Sequence, residues 1–423
     1  MRTGDGLLVR LRPAAPALTA EDLVALADLA RETGNGLIEI TARGNLQLRG
    51  LDEASVPRLV EGLAAAGIVP LTGIAIEVPP LAGIDPSEIA DAAPLAAELR
   101  AEIARAALTL APKLAIVVDG GGVLCLADMV ADIRLDAVAG PQSVLWRLSV
   151  GGDRATARAL TLLAKDVAVR SVLAVLNALA AEGPAARGRD LDAAALAALL
   201  GGKPAEVLPA TASAHPLGRH EIGGEILLGI APAYGQVHAD RLVALAKGLS
   251  AAGAKRFYLA PHRTLLVRGL ASEALASACT LAEREGFWCT GDAPGRSISI
   301  CAGSAGCASA TFDTHAAADA VVALAGTLLD GSADLHISGC PKGCAHPAAA
   351  AVTLCGTAAG VGLVLGGRAS DTPAASVAAA DLKPAIERLG TLFRTRRTEG
   401  ETARSLIDRT APATLVSAYQ GRS

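Results

Sequence analysis

GLLVRLRPAAPALTAEDLVALADLARETGNGLIEITARGNLQLRGL, residues 6–51, returns as EILLGIAPAYGQVHADRLVALAKGLSAAGAKRFYLAPHRTLLVRGL, residues 225–270, in an alignment without a gap. Pro13 meets Pro232, LVALA meets LVALA, Gly34 meets Gly253, and Arg49-Gly50-Leu51 meets Arg268-Gly269-Leu270. A shared bias to Ala and Leu would not line up proline, glycine and arginine positions, so the pattern reads as a duplicated unit. Each copy predicts strand, helix, strand, strand. LLVRLRP alternates up to its proline. Residues 20–33 have helical periodicity, with Glu21 and Asp22 in the first turn, where the helix dipole favours acids, and Gly34 and Gly36 at the end. LIEIT and LQLRG predict a hairpin turning at Arg43-Gly44-Asn45.

Side chains alternate across a strand. Leu46 and Leu48 therefore face a core, while Asn45, Gln47 and Arg49 face the other way. In the second copy Thr264 and Arg268 take the outward places. A polar face can simply meet solvent. Here Arg10, Arg12, Arg43 and Arg49 all fall on one small unit, and guanidinium forks match carboxylates, so a ligand rich in carboxylates would fit.

The 423 residues exceed what one core usually serves. Between and after the repeats lie two further units, which predict an α+β chain of layout A–B–A′–B′ with domains at 1–75, 76–210, 211–289 and 290–423. PAARGRDLDAAALAALLGGKPAE, residues 184–206, reads as a surface linker with one weak helix. The formal charge is −4 and no basic block appears, so nucleic acid is not an expected partner. The N-terminus has no long apolar stretch, hence no secretory signal, and a cytoplasmic location is expected. Pro347–Gly367 is uncharged, but its four interior glycines favour buried strands joined by a turn over a membrane span.

The chemistry concentrates in B′. SISICAGSAGCASA places Cys301 and Cys307 six residues apart, and HISGCPKGCAHP places Cys340 and Cys344 four apart. Four thiolates can hold a 4Fe–4S cluster, and the surrounding Gly303, Gly306, Gly339 and Gly343 let backbone approach its sulfides. A structural zinc, usually with tighter spacing, or plain buried thiols are the other readings. Cys125, Cys279, Cys289 and Cys355 stand outside the pattern.

C-x5-C with C-x3-C resembles the cluster motif of the nitrite and sulfite reductase family. That resemblance covers nearly the whole chain. It implies a duplicated architecture, with two ferredoxin-like half-domains and two α/β domains related by a pseudo-two-fold axis. It also implies a tetrapyrrole beside the cluster, with Arg43, Gln47 and Arg49 binding it, and, in members that carry sirohaem, a sulfur bridge from Cys344 to the haem iron. Departures exist. Where the reductases grip an anion with two lysines one residue apart, APKLAIVVDGG keeps Lys113 but has Ala115; in the last cysteine loop Lys342 and His346 replace Asn and Arg. TGDGLLVRLRP, NGLIEITARGNLQLRGL and CPKGCAHP are instead similar to the branch of the family that serves aerobic cobalamin biosynthesis. That branch implies hydroxylation of precorrin-3A at C20 by O2, closure of a ring A acetate to a γ-lactone, catalytic roles for Lys113 and His346, and a mononuclear non-haem iron in addition to the cluster. A sirohaem-dependent sulfite or nitrite reductase is the alternative.

GVGLVLG, residues 360–366, looks like a dinucleotide loop only superficially, since no βαβ unit surrounds it. Reducing equivalents from NADH are therefore expected through a separate donor protein, and the chain is expected to be a monomer. No pair of histidines has clear ligand spacing with a carboxylate. His346 is the best single candidate ligand for the mononuclear iron, and His220 is expected at the surface.

Overall fold

The computed structural model describes residues 2–201 and 213–422. The expected boundary at residue 210 and the end of the 184–206 stretch lie outside them. Within that stretch, the helix Ala193–Leu200 starts at Asp192, whose side chain caps it.

Among the described residues there are four five-stranded sheets. In the first, strands Gly6–Leu11, Leu46–Leu51 and Leu37–Ile40 run antiparallel in that order. The second repeat builds the same trio from Glu225–Pro232, Thr264–Arg268 and Arg256–Ala260. Helix Ala20–Thr33 begins on a capping box in which Thr19 and Asp22 satisfy each other's backbone N–H. It ends at Gly34, where an added Cβ would sit 2.2 Å from the Arg49 carbonyl oxygen.

The repeats do not merely stand side by side. Strand Gln236–His238 leaves its own half and adds to the edge of the first sheet, pairing Val237 with Ile38. In return Leu18 pairs with Phe257, with hydrogen bonds of 2.7 and 2.8 Å. When Gly6 is matched to Glu225, Leu18 is the mate of Val237 and Ile38 the mate of Phe257. The two exchanges are thus one contact made twice about a pseudo-two-fold axis. The facing helices Ala20–Thr33 and Ala239–Ala251 meet through the mates Leu23 and Leu242, Leu26 and Leu245, Ala27 and Ala246, all buried in one shared core.

The other two sheets obey the same operator. Strands Ala75–Glu77, Ala115–Asp119 and Ala131–Ala139 are parallel neighbours, and two antiparallel strands complete that sheet. Ile298–Ile300, Leu335–Ser338 and Ala350–Thr357 repeat the arrangement. Ile116 pairs with Ile133 as Leu335 pairs with Val352, and Asp119 with Asp136 as Ser338 with Cys355. The mates keep the same separation as in the first repeat, which makes Cys125 the counterpart of Cys344. Ala350–Thr357 and Gly360–Gly367 form an antiparallel hairpin, so the apolar stretch is two buried strands and GVGLVLG is one of them. Among the described residues no helix is long and apolar enough to cross a membrane.

Phe257 is fully buried where the exchange crosses the shared core. Phe257→Ala should lower unfolding free energy by about 3–5 kcal/mol, measured by urea denaturation, with both repeats losing structure in one transition.

Candidate functional site

A cleft of about 740 Å³ opens between the polar face of the first sheet and the two cysteine loops. Arg10, Glu39, Gln47 and Arg49 form one wall, the four cysteines of B′ form the opposite wall, and Tyr234, Gln236 and Arg263 close the side. Gln236 arrives on the exchanged strand, so the second repeat completes a site built on the first.

The sheet wall is a connected polar network. The Arg49 fork donates to both oxygens of Asp5 at 2.8 and 2.9 Å and to Glu39 at 3.3 Å. Gln236 donates to Glu39 at 3.0 Å. With its amide turned to satisfy both ends, Gln47 donates to Glu39 at 2.7 Å and accepts from Arg10 at 2.8 and 3.1 Å. Burial pushes the Glu39 carboxyl above its ordinary range, although Arg49 opposes the shift. Burial also pushes at Asp5, but its hydrogen bonds from Arg49 and Thr3 prevail and hold it below the ordinary range.

On the opposite wall, Cys301 directly follows strand Ile298–Ile300 and Cys340 lies two residues past Leu335–Ser338, at the carboxyl ends of parallel strands. The two loops are tied together where the Thr311 N–H donates to the Gly339 carbonyl at 2.9 Å. Ser338 donates to the Cys340 carbonyl at 2.7 Å, and the Gly339 N–H donates to Cys301 Sγ at 3.2 Å. All four thiols are free. Burial raises the Cys344 thiol, and the nearby Cys340, Cys301 and Cys307 raise it further. A thiol set on one wall, with an amide already aimed at a sulfur, suits a cluster, which takes its thiolates at separate corners. Among the described residues no three Cys, His, Asp or Glu side chains stand close enough together to hold a single ion.

The expected site residues divide. Gln47 and Arg49 line the cleft. Arg43 does not; its Nη2 donates to the Val130 carbonyl at 2.6 Å, because the hairpin tip bends against unit B. Arg12 is likewise spent on the carbonyls of Gly73 and Ile74. Lys113 is exposed at the start of strand Ala115–Asp119, outside the cleft lining, so neither it nor Ala115 shapes the cleft's charge. Lys342 lines the cleft, its Nζ donating to Ser309 at 3.1 Å. The His346 ring lies behind the last cysteine loop, 5.6 Å from that of His336. His336 is buried, and its ring is pushed down to about 4 by that burial and by His346. His220 bonds the Pro216 carbonyl at 2.9 Å.

Sequence reasoning passed over Tyr234, Gln236 and Arg263. Among the described residues four non-glycine residues have positive φ, and two of them, Tyr234 and Arg263, line this edge of the cleft, with His262 next to Arg263 in the chain. Each such conformation costs about 1–2 kcal/mol, the kind of strain that collects at functional sites. The signal was present in the alignment, where Arg263 is the mate of Gly44.

The pseudo-two-fold axis predicts a second cleft, and it is filled. The mates of Leu8, Glu39 and Gln47 are Leu227, Tyr258 and Leu266, which pack on Leu81 and Leu124 of unit B. In unit B the loop that matches Cys340–Cys344 is closed by Asp119, which accepts from the Gly121 and Leu126 N–H groups at 2.9 Å and leaves Cys125 buried.

The nitrite/sulfite reductase ferredoxin-like half domain matches residues 1–66. A precorrin-3B synthase of Sinorhizobium is 44% identical over 424 residues, spanning 99% of this chain and 92% of that protein. The chloroplastic ferredoxin–nitrite reductase of Spinacia oleracea is 34% identical over 93 residues, 21% of this chain and 16% of its own. Among solved structures, the Mycobacterium tuberculosis NirA protein superposes with a TM-score of 0.70 at 21% identity, covering 96% of this chain and 84% of that one. The fold is therefore of the nitrite/sulfite reductase type, with the α and β elements of each half duplicated.

The Asp5–Arg49 pair gives a pH test. A carboxyl held below its unfolded value stabilises the fold above that value, near pH 4, and loses the contribution as pH falls through the lowered one. Asp5→Asn should cost about 1–3 kcal/mol at pH 7, read by urea denaturation, and the gap to the parent should shrink steadily below about pH 4.

Proposed function

Because the chain belongs to the precorrin-3B synthase family, we propose that it oxidises precorrin-3A to precorrin-3B, hydroxylating C20 and closing the ring A acetate to a γ-lactone. One atom of O2 enters the substrate and the other leaves as water, with two electrons supplied by NADH through a separate donor protein. The observation that carries this reading is the cleft itself, with cysteine loops on one wall and an arginine-bearing sheet on the other.

Cys301, Cys307, Cys340 and Cys344 would hold a 4Fe–4S cluster, whose chemistry is one-electron transfer. The chain's own groups do the rest. Arg10, held by Gln47, adds positive charge to the sheet wall that the macrocycle's carboxylates would meet. Asp5 and Glu39 lock the Arg49 plane, so that it is oriented before the substrate arrives. Lys342 stands on the cysteine loop and brings positive charge to the cluster side of the substrate. His346, turned toward His336, acts by supporting that loop from behind.

Purified anaerobic protein given precorrin-3A, O2 and a reductant should yield a product heavier by one oxygen atom in mass spectrometry. With reduced viologen and sulfite or nitrite it should oxidise little dye. Fast dye oxidation without oxygen gain on precorrin-3A would replace this reading with the sirohaem-dependent reductase.

A further inference from the structure

We infer that Arg263, held in a left-handed backbone conformation at the tip of the second repeat's hairpin, is the arginine that grips a substrate carboxylate. The inference rests on the tetrapyrrole reading above and adds a binding residue to it.

Three arginines line the cleft, and they differ in what they already hold. Arg49 spends its fork on Asp5 and reaches Glu39 as well. Arg10 donates twice to Gln47. Arg263 has one protein bond among the described residues, a long 3.3 Å contact from Nη1 to the Tyr234 carbonyl. A guanidinium carries five N–H donors, so most of this one's capacity faces the cleft.

The backbone argues the same way. Arg263 has φ +62 and follows His262 at φ +57. At the mate position the first repeat has Gly44, with φ +75, the residue this conformation favours. The second repeat thus retains a bulky side chain where the fold prefers none. Its stem also requires a glycine opposite, because a Cβ on Gly235 would lie 2.6 Å from Arg263 Cδ. Strain that persists against a better local choice points to a task for the side chain. The fork enters from the second repeat and Lys342 from the cysteine loop, two sources of charge that a broad, multiply carboxylated macrocycle would reach together.

The test uses the holoprotein, purified without oxygen, and fluorescence titration with uroporphyrin III, an air-stable macrocycle carboxylated on every pyrrole ring. A cationic tetra(N-methylpyridyl)porphyrin is the control. The parent should bind uroporphyrin and not the cationic macrocycle. Arg263→Gly should bind uroporphyrin about tenfold or more weakly, with an unchanged or raised Tm, because the strained position is relieved. Arg263→Gln, which keeps a side chain at the strained position but removes the charge, should weaken binding equally, which separates lost charge from a loosened hairpin. Parent-like affinity in either variant would overturn the role given to Arg263 while leaving the tetrapyrrole reading intact. A parent that ignores uroporphyrin, or binds both porphyrins alike, would instead defeat the reading on which the inference rests.

Discussion

The reciprocal exchange of one short extended segment between the two repeats underlies everything else in this molecule. Val237 on Ile38 and Leu18 on Phe257 are the same contact made twice. The exchange fuses two small sheets, each too small to bury its helices alone, into one core. It also sets the chemistry. The segment that carries Val237 carries Gln236 beside it and follows Tyr234, and both reach the cleft on the first repeat. Without the exchange, the cleft between the wall of Arg10, Glu39, Gln47 and Arg49 and the cysteine loops would lose the side that Tyr234 and Gln236 close.

Duplication gives the chain two of everything, and only one of the two clefts is open. The difference lies in few side chains. Glu39 and Gln47 on one side are Tyr258 and Leu266 on the other, and the apolar pair packs down on Leu81 and Leu124. In unit B, Asp119 folds its own loop shut through two backbone N–H groups, so Cys125 points into a core. In B′ the mate is Ser338, whose hydroxyl donates to the Cys340 carbonyl and leaves Cys344 lining the cleft. A carboxylate stands in the sealed loop where a hydroxyl stands in the loop that opens on the cleft.

The repeat, the hairpin and the two faces of strand Leu46–Leu51 were legible in the sequence because local alternation and fixed spacing determine them. The cysteine pairs were legible because their loops follow parallel strands directly. Roles that depend on where a loop tip lands were not. Arg43 shares a hairpin with Gln47, yet the tip leans on unit B and its guanidinium is taken by Val130. Lys113 matched a motif, but the motif lies at the amino end of its strand while the cleft gathers at carboxyl ends. His346 follows a cysteine loop whose turn at Gly343, φ +60, sends the ring behind the loop. Arg263 was hidden for the opposite reason. Its importance comes from a backbone conformation and a contact across the exchange, neither of which leaves a periodic trace.

The central claim is that one half of a symmetric molecule holds the redox centre and the other has closed its copy. The direct measurement compares Cys340→Ser and Cys125→Ser, each purified without oxygen, by visible absorption and bound iron. The account predicts that Cys340→Ser loses the brown absorption and most of the cluster's iron, about four atoms per chain, while Cys125→Ser keeps both. A full cluster in Cys340→Ser, or its loss in Cys125→Ser, would contradict the account.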